Sequence, residues 1–265
     1  MAHDQRTAIY DDLHQRQLAE QRDSNRASAL KILGLLFERF KPGSVLDVGC
    51  GLGTWLAAAR ELGVEDVFGV DGEWLDAARL DVDPDEVMRV DLESGIALER
   101  RFDLVISLEV AEHLHERAAD SFVSSLVRHG DVVLFSAAIP FQGGHHHVNE
   151  QFPDYWAERF AAHGYRALDF VRPRIWTDKE VLWWLRQNVL VFAHPRALER
   201  HPRLREELGS PRVLSMVLPD VYLARVAPAQ QAVEQLGAVM NLLASGNTFK
   251  VTKMPDGQLS VEKTS

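Results

Sequence analysis

The sequence predicts an α/β fold: a seven-stranded, mostly parallel sheet between two layers of helices, with an extension at each end. Three observations carry that reading. Short apolar runs at 44–48, 66–70, 86–90, 102–108 and 131–136 alternate with stretches of helical spacing, the order that builds a parallel sheet. The first run feeds straight into Asp47-Val-Gly-Cys-Gly-Leu-Gly53 and then a helical segment, the strand–turn–helix opening of a nucleotide-type site. Two last apolar runs, 165–171 and 188–193, complete the count of strands and suit a closing antiparallel hairpin. The expected organisation is a helical arm over 1–40, a core domain over 41–195 and a C-terminal extension over 196–265.

Composition narrows the function classes. A chain of 265 residues with 46% hydrophobic content has room for one large core plus extensions. Its formal charge of −10, with no dense Lys/Arg run, repels a phosphate backbone and argues against nucleic acid as a partner. The single cysteine, Cys50, fits a reducing compartment, and no apolar run is long enough for a membrane span. A soluble cytoplasmic protein without a signal segment is the expectation.

Residues 1–27 are polar and read as a loosely held helical arm. From Ala27 to Phe40 the positions Leu30, Ile32, Leu33, Leu35, Leu36 and Phe37 predict a helix with a broad buried face, broken by Lys41-Pro-Gly43. In the glycine loop, Gly49, Gly51 and Gly53 let the backbone turn sharply and approach a ligand closely. Cys50 there is a small filler. A helix over 55–62 stops at Gly63, and the strand 66–70 ends on Asp71. A carboxylate at that strand tip can accept from both hydroxyls of a ribose; a helix cap for a following segment, 72–80, is the bland alternative. The strand 86–90 ends at Asp91-Leu92, and the strand 102–108 at Glu109-Val-Ala-Glu-His-Leu114. If a helix starts there, Glu109, Glu112 and His113 share one face at i, i+3 and i+4. Two carboxylates and an imidazole gathered beside a pocket call for a cation, and a divalent metal is the economical one.

After the strand 131–136 comes a long loop, Ala137 to Phe152, at the same sheet edge, carrying His145, His146, His147, Asn149 and Glu150. Loops of this length in compact domains are usually functional, and these groups can act as ligands or bases near neutral pH. The segment 154–163 reads as an amphipathic helix ended by Gly164. The Arg- and Trp-rich stretch 172–186 is open to two readings, an acceptor pocket or aromatic packing of Trp183 and Trp184 with surface arginines. Beyond it, a charged segment over 196–207, a helix over 229–244 and two short strands about Pro255-Asp-Gly complete the chain. A cover for the pocket, a dimer contact and a structural appendage are all open there.

Asp47-Val-Gly-Cys-Gly-Leu-Gly53 resembles the first motif of class I S-adenosylmethionine (SAM) methyltransferases. A dinucleotide loop would have an apolar residue at position 47 and the G-x-G-x-x-G rhythm. The resemblance, which covers roughly 40–195, implies a Rossmann-like three-layer fold with SAM as cofactor. The residues it implies at the cofactor are Asp47, Gly49, Cys50, Gly51, Gly53 and Trp55 around the methionine part. Asp71 would lie at the ribose and Asp91 with Leu92 at the adenine, with Gly72 and Leu108 as further cofactor residues. Glu109-x-x-Glu-His113 with a later His is similar to the metal cluster of small-RNA 3′-end 2′-O-methyltransferases. Ubiquinone-pathway O-methyltransferases carry a similar Glu-Val-x-Glu-His. The stretch from Ser136 to Trp156 resembles bacterial SAM methyltransferases of sugar and natural-product pathways. These likenesses imply a divalent metal, Mg²⁺ or Mn²⁺ in preference to Zn²⁺ or Fe, on Glu109, Glu112, His113 and His147. His146, His147 or Glu150 would be the base. The expected activity is metal-assisted O-methylation of a small hydroxylated acceptor. A metal-free O- or N-methyltransferase and a non-catalytic SAM-binding partner subunit are the alternatives, and a homodimer is left open.

Overall fold

In the computed structural model, residues 20–209, 213–244, 248–254 and 259–264 are described. The expected arm therefore lies outside them up to residue 19. The helix after it, α1, spans Arg22–Phe37 and buries Ser28, Ala29, Ile32, Leu33 and Leu36, the i, i+3, i+4 stripe its spacing predicts.

The chain then alternates as expected. Strand β1 (Ser44–Val48) leads into α2 (Thr54–Glu61), β2 (Asp66–Asp71), the short β3 (Val87–Arg89) and β4 (Leu104–Leu108). The helix α3 (Ala119–His129) precedes β5 (Val132–Ser136), and α4 (Pro153–Ala162) precedes β6 (Arg166–Leu168). Two short helices, α5 (Arg172–Ile175) and α6 (Trp183–Asn188), lead to β7 (Leu190–Ala193). The strands form one sheet of order β3-β2-β1-β4-β5-β7-β6, parallel except at β7, which runs antiparallel to both β5 and β6. This is the Rossmann-like sheet that was expected, with its hairpin at one edge. The order reverses between β1 and β4, and in such sheets the crevice beyond the strand ends at that reversal is where ligands sit.

Two apolar layers cover the sheet. One holds α1, α2 and the α5–α6 region (Ile32, Leu33, Trp55, Leu56, Val181, Leu185); the other holds α3 and α4 (Phe122, Val123, Leu126, Trp156, Phe160). In the second layer Phe160 of α4 stacks on Phe192 of β7 at 4.0 Å between centroids, which ties the helix to the antiparallel edge.

One alternative reading falls away and one expectation is corrected. The segment 72–80 is not a helix, since only Ala77–Arg79 forms a 3₁₀ turn, capped by the Asp76 side chain accepting from the Ala78 N–H. The run after β4 is also not a regular helix: Glu109 has φ 55°, and a single 3₁₀ turn, Ala111–His113, follows. The left-handed residue breaks the helical ladder before it starts, so Glu109, Glu112 and His113 do not share a helix face.

The chain divides into two compact units, one ending at Met216 and the other beginning at Val217. The first includes α7 (Pro195–Arg200) and α8 (Pro202–Glu206), whose Ala197, Leu198 and Leu204 are buried in the α1-side layer. The second holds α9 (Pro219–Ala244) and the antiparallel pair β8 (Thr248–Lys253) and β9 (Leu259–Thr264).

Candidate active site

The glycine loop is shaped by its neighbours. Gly49, Gly51 and Gly53 have φ of 80°, 54° and 78°. A Cβ on Gly49 would stand 2.3 Å from Val110 Cγ2, and one on Gly53 2.8 Å from Val82 Cγ2, so both positions need glycine twice over, for conformation and for space. The loop hangs on β2, with Gly49 N–H and Cys50 N–H both donating to the Val70 carbonyl. Cys50 fills the gap beside Gly69, as a filler should; burial pushes its thiol up, the nearby Asp71 and Asp47 adding to this.

Two buried carboxylates face this loop. Asp71 accepts from Gly51 N–H through Oδ2 and from Gly72 N–H through Oδ1, both at 2.6 Å. Burial nonetheless raises its pKa to about 6, against the opposing pull of those two N–H groups and the Trp74 side chain. Asp47 is held well above the usual carboxylate range by burial first and by the Asp71 charge second. Paired acids with this much desolvation favour a ligand that brings hydroxyls and a positive charge. SAM carries both, and a cradle closed to any Cβ suits close backbone approach, so the residues present fit it. Elsewhere the fit is looser. Asp91 is exposed and closes its own turn, accepting from Glu93 N–H and the Ser94 hydroxyl. Leu92 is buried beside it and Leu108 is half-buried. Trp55 belongs to the apolar layer under α1, where its ring packs the core.

Across the sheet reversal, the segment after β4 meets the histidine loop. The Glu112 carbonyl accepts from both Val148 N–H (2.9 Å) and Asn149 N–H (3.1 Å), and Gln151 N–H donates to Ala138 O. These bonds bring Glu112, His113 and His147 together, each offering one ligand atom, all within 4.8 Å of one another. The two imidazoles sit edge to face, 5.0 Å between centroids. Glu112 is 0% exposed, and neither of its carboxylate oxygens has a hydrogen-bond partner of acceptable geometry among the described residues. Burial, and then the Glu109 charge, push it well above the usual carboxylate range, although the N–H groups of Glu112 itself and Ala138 lie near enough to oppose this. A buried carboxylate with no partner is costly unless a cation joins it, so the donor set fits a divalent metal.

The remaining candidates fall into supporting places. Glu150 accepts from Phe141 N–H (2.7 Å) and Gly143 N–H (2.8 Å), and its Oε1 lies 2.8 Å from His147 Nδ1. It therefore fixes the loop and orients the His147 ring through Nδ1. The ring also packs against Gly144, where a Cβ would be 2.2 Å from His147 Nε2. Glu109 is outside the group of three: Gln142 donates to its Oε2 at 2.7 Å and Asn188 to its Oε1 at 3.2 Å. Its pKa is raised by burial, with the Ser136, Asn188 and Gln142 hydrogen bonds pulling it down. His145 and His146 are exposed, and His146 has φ 55°, which turns it away from the run of the next residue. Gln142 and Asn188 escaped the sequence reading. Gln142 stands in the conspicuous loop, but nothing local marks Asn188, whose partner is 79 residues away.

The described residues contain no helix long and apolar enough to cross a membrane. Residues 8–187 match the model of a family described as a methyltransferase domain. The chain is 34% identical over 106 residues to the ribosomal protein L11 methyltransferase of Thermosipho africanus, a stretch covering 37% of this chain and only 39% of that protein. DesVI of Streptomyces venezuelae superposes with a TM-score of 0.50 at 18% identity, over 71% of this chain and 98% of that one, a likeness of fold. KedS8, a sugar N-methyltransferase from Streptoalloteichus sp ATCC 53650, gives 0.49 at 20% identity over 69% and 92%.

Proposed function

The chain belongs to the methyltransferase-domain family, and from that premise we propose that it is a SAM-dependent O-methyltransferase acting on a hydroxyl of a small molecule, such as a sugar or natural product, with a divalent metal at Glu112, His113 and His147. The observation that carries the metal is Glu112, fully buried beside two imidazoles with neither carboxylate oxygen in a well-formed hydrogen bond. The net charge of −10 supports a small acceptor over a nucleic acid.

SAM supplies a methyl group on a positively charged sulfur, open to in-line displacement by an acceptor oxygen. A divalent cation supplies a Lewis acid that makes a hydroxyl more acidic. The chain's own residues do the rest. Asp47 and Asp71 receive the positive and hydroxyl-bearing parts of the cofactor at the β1 and β2 ends. Glu112, His113 and His147 hold the cation across the sheet reversal, and Glu150 locks the His147 ring through Nδ1. Glu109, held by Gln142 and Asn188, stands next to this group without being one of the three ligands. Phe141 is 86% exposed at φ 67°, and with the exposed Val148 and Phe152 it offers an apolar face to an acceptor on the loop that carries His147. Holding an acceptor behind the methyl group is the larger part of such catalysis.

The test is methyl transfer to a panel of polyhydroxylated acceptors before and after chelation. Turnover lost on chelation and restored by Mg²⁺ or Mn²⁺ is the expected result. Chelator-resistant turnover that disappears in His147→Ala would instead make His147 a metal-free base, and SAM binding with no transfer to any acceptor would make the chain a cofactor-binding subunit.

A further inference from the structure

The helix α9 carries a feature that the methyltransferase reading does not use. Tyr222, Val226, Ala229, Val233, Leu236, Met240 and Leu243 follow one another at intervals of four, three, four, three, four and three residues. That is an unbroken heptad seam with an average period of 3.5, the spacing of a left-handed coiled coil and not of a helix lying on a flat core. No residue of α9 whose burial is described is buried, and the large seam side chains Tyr222, Val226, Val233, Leu236 and Met240 are 37% to 69% exposed.

A bare helix of this kind does not hold itself together. Isolated helices are marginal in water even with good propensity, and α9 also carries Pro228 and Gly237. The β8–β9 pair in the same unit is a single hairpin, which adds little independent stability. We propose that two copies of this chain pair through α9 as a two-stranded coiled coil.

Three features select a second copy as the occupant. Val226 and Val233 stand at the positions where β-branched residues favour two strands, with Leu236 and Leu243 at the alternate ones. The positions flanking the seam, Leu223, Arg225, Gln230, Ala232, Gly237 and Val239, hold one charge among them, so like helices meet without repulsion. The area suffices: the exposed seam residues and Leu223 present on the order of 600 Å² per chain, about 1,200 Å² for a pair, the lower end of specific interfaces. Pro228 and Glu234 fall on the outward side of this seam and leave the contact clear.

The experiment is sedimentation equilibrium of the full chain across the micromolar range. The expected result is a dimer whose dissociation constant falls with added salt, because salt screens the self-repulsion of a chain of charge −10 without weakening an apolar seam. The double variant Val233→Glu/Leu236→Glu should sediment as a monomer with the sheet's thermal transition unchanged, while Gln231→Glu on the outward face stays dimeric. Val233→Cys should cross-link to a disulfide dimer under mild oxidation, and Gln231→Cys should not. A monomeric wild-type chain throughout that range, a higher oligomer, or a dimer that survives the double variant would overturn the proposal.

Discussion

Glu112 is the residue on which the chemistry turns. It is buried with neither carboxylate oxygen in a well-formed hydrogen bond, and a cation would hold it in its charged form. Glu112→Gln should therefore cut methyl transfer by roughly 10²-fold or more while leaving the metal-free chain at least as stable as wild type in a thermal melt. A variant that loses activity and also melts earlier would mark Glu112 as structural. Gly144 tests the aim of His147. Gly144→Ala must push the imidazole away, and an effect of about 10- to 100-fold on metal affinity is expected for disturbing a ligand's support, with the SAM dissociation constant unchanged in calorimetry. Asp71 gives a pH signature. Its folded pKa of about 6 exceeds the unfolded 3.8, so the group disfavours the fold above pH 6 and this penalty fades as pH falls toward 3.8. Hydroxyls of SAM donating to the carboxylate favour its charged form, so binding expels the proton. SAM affinity should then weaken below about pH 6, approaching tenfold per pH unit, and the slope should vanish in Asp71→Asn.

At the scale of elements, strand–turn–helix order was readable because it is written locally. The apolar runs, the glycines at every second position and Gly63 or Gly164 after a helix each act within a few residues. The helix expected after β4 is absent because Glu109 is left-handed, with φ 55°, which breaks the helical run at its first residue. Its N–H stays with the sheet, donating to the Ser136 carbonyl at 3.0 Å, and spacing alone does not announce that conformation. The arginines of 172–186 show the same limit. Arg172 is buried, not on the surface, paired with Asp169 at 2.7 Å and donating to the carbonyls of Gln187 and Leu214. It ties α5 to the last turn of α6 and to the chain end of the sheet unit. Arg172→Leu, which strands Asp169, should destabilise the fold by about 3–5 kcal/mol in urea titration; a loss under 1 kcal/mol would show the pair to be dispensable.

Over the whole molecule, one topological fact organises the site. The sheet order reverses between β1 and β4, so the glycine loop and the Glu-x-x-Glu-His segment flank one crevice, and β5 delivers the histidine loop next to it. Sequence reading anticipated that the two separated segments would meet at this rim, since parallel strands put every carboxyl end on one edge. Which side chains would point inward was only partly legible: His147 was preferred to His146, but Glu109 and Glu112 looked equivalent until the hydrogen bonds that Gln142 and Asn188 donate to Glu109 set it apart. The most direct measurement is anomalous diffraction at the manganese edge from crystals grown with S-adenosylhomocysteine and Mn²⁺. A single peak within bonding distance of Glu112, His113 and His147 is predicted; a peak elsewhere, or none at saturating Mn²⁺, would contradict the account.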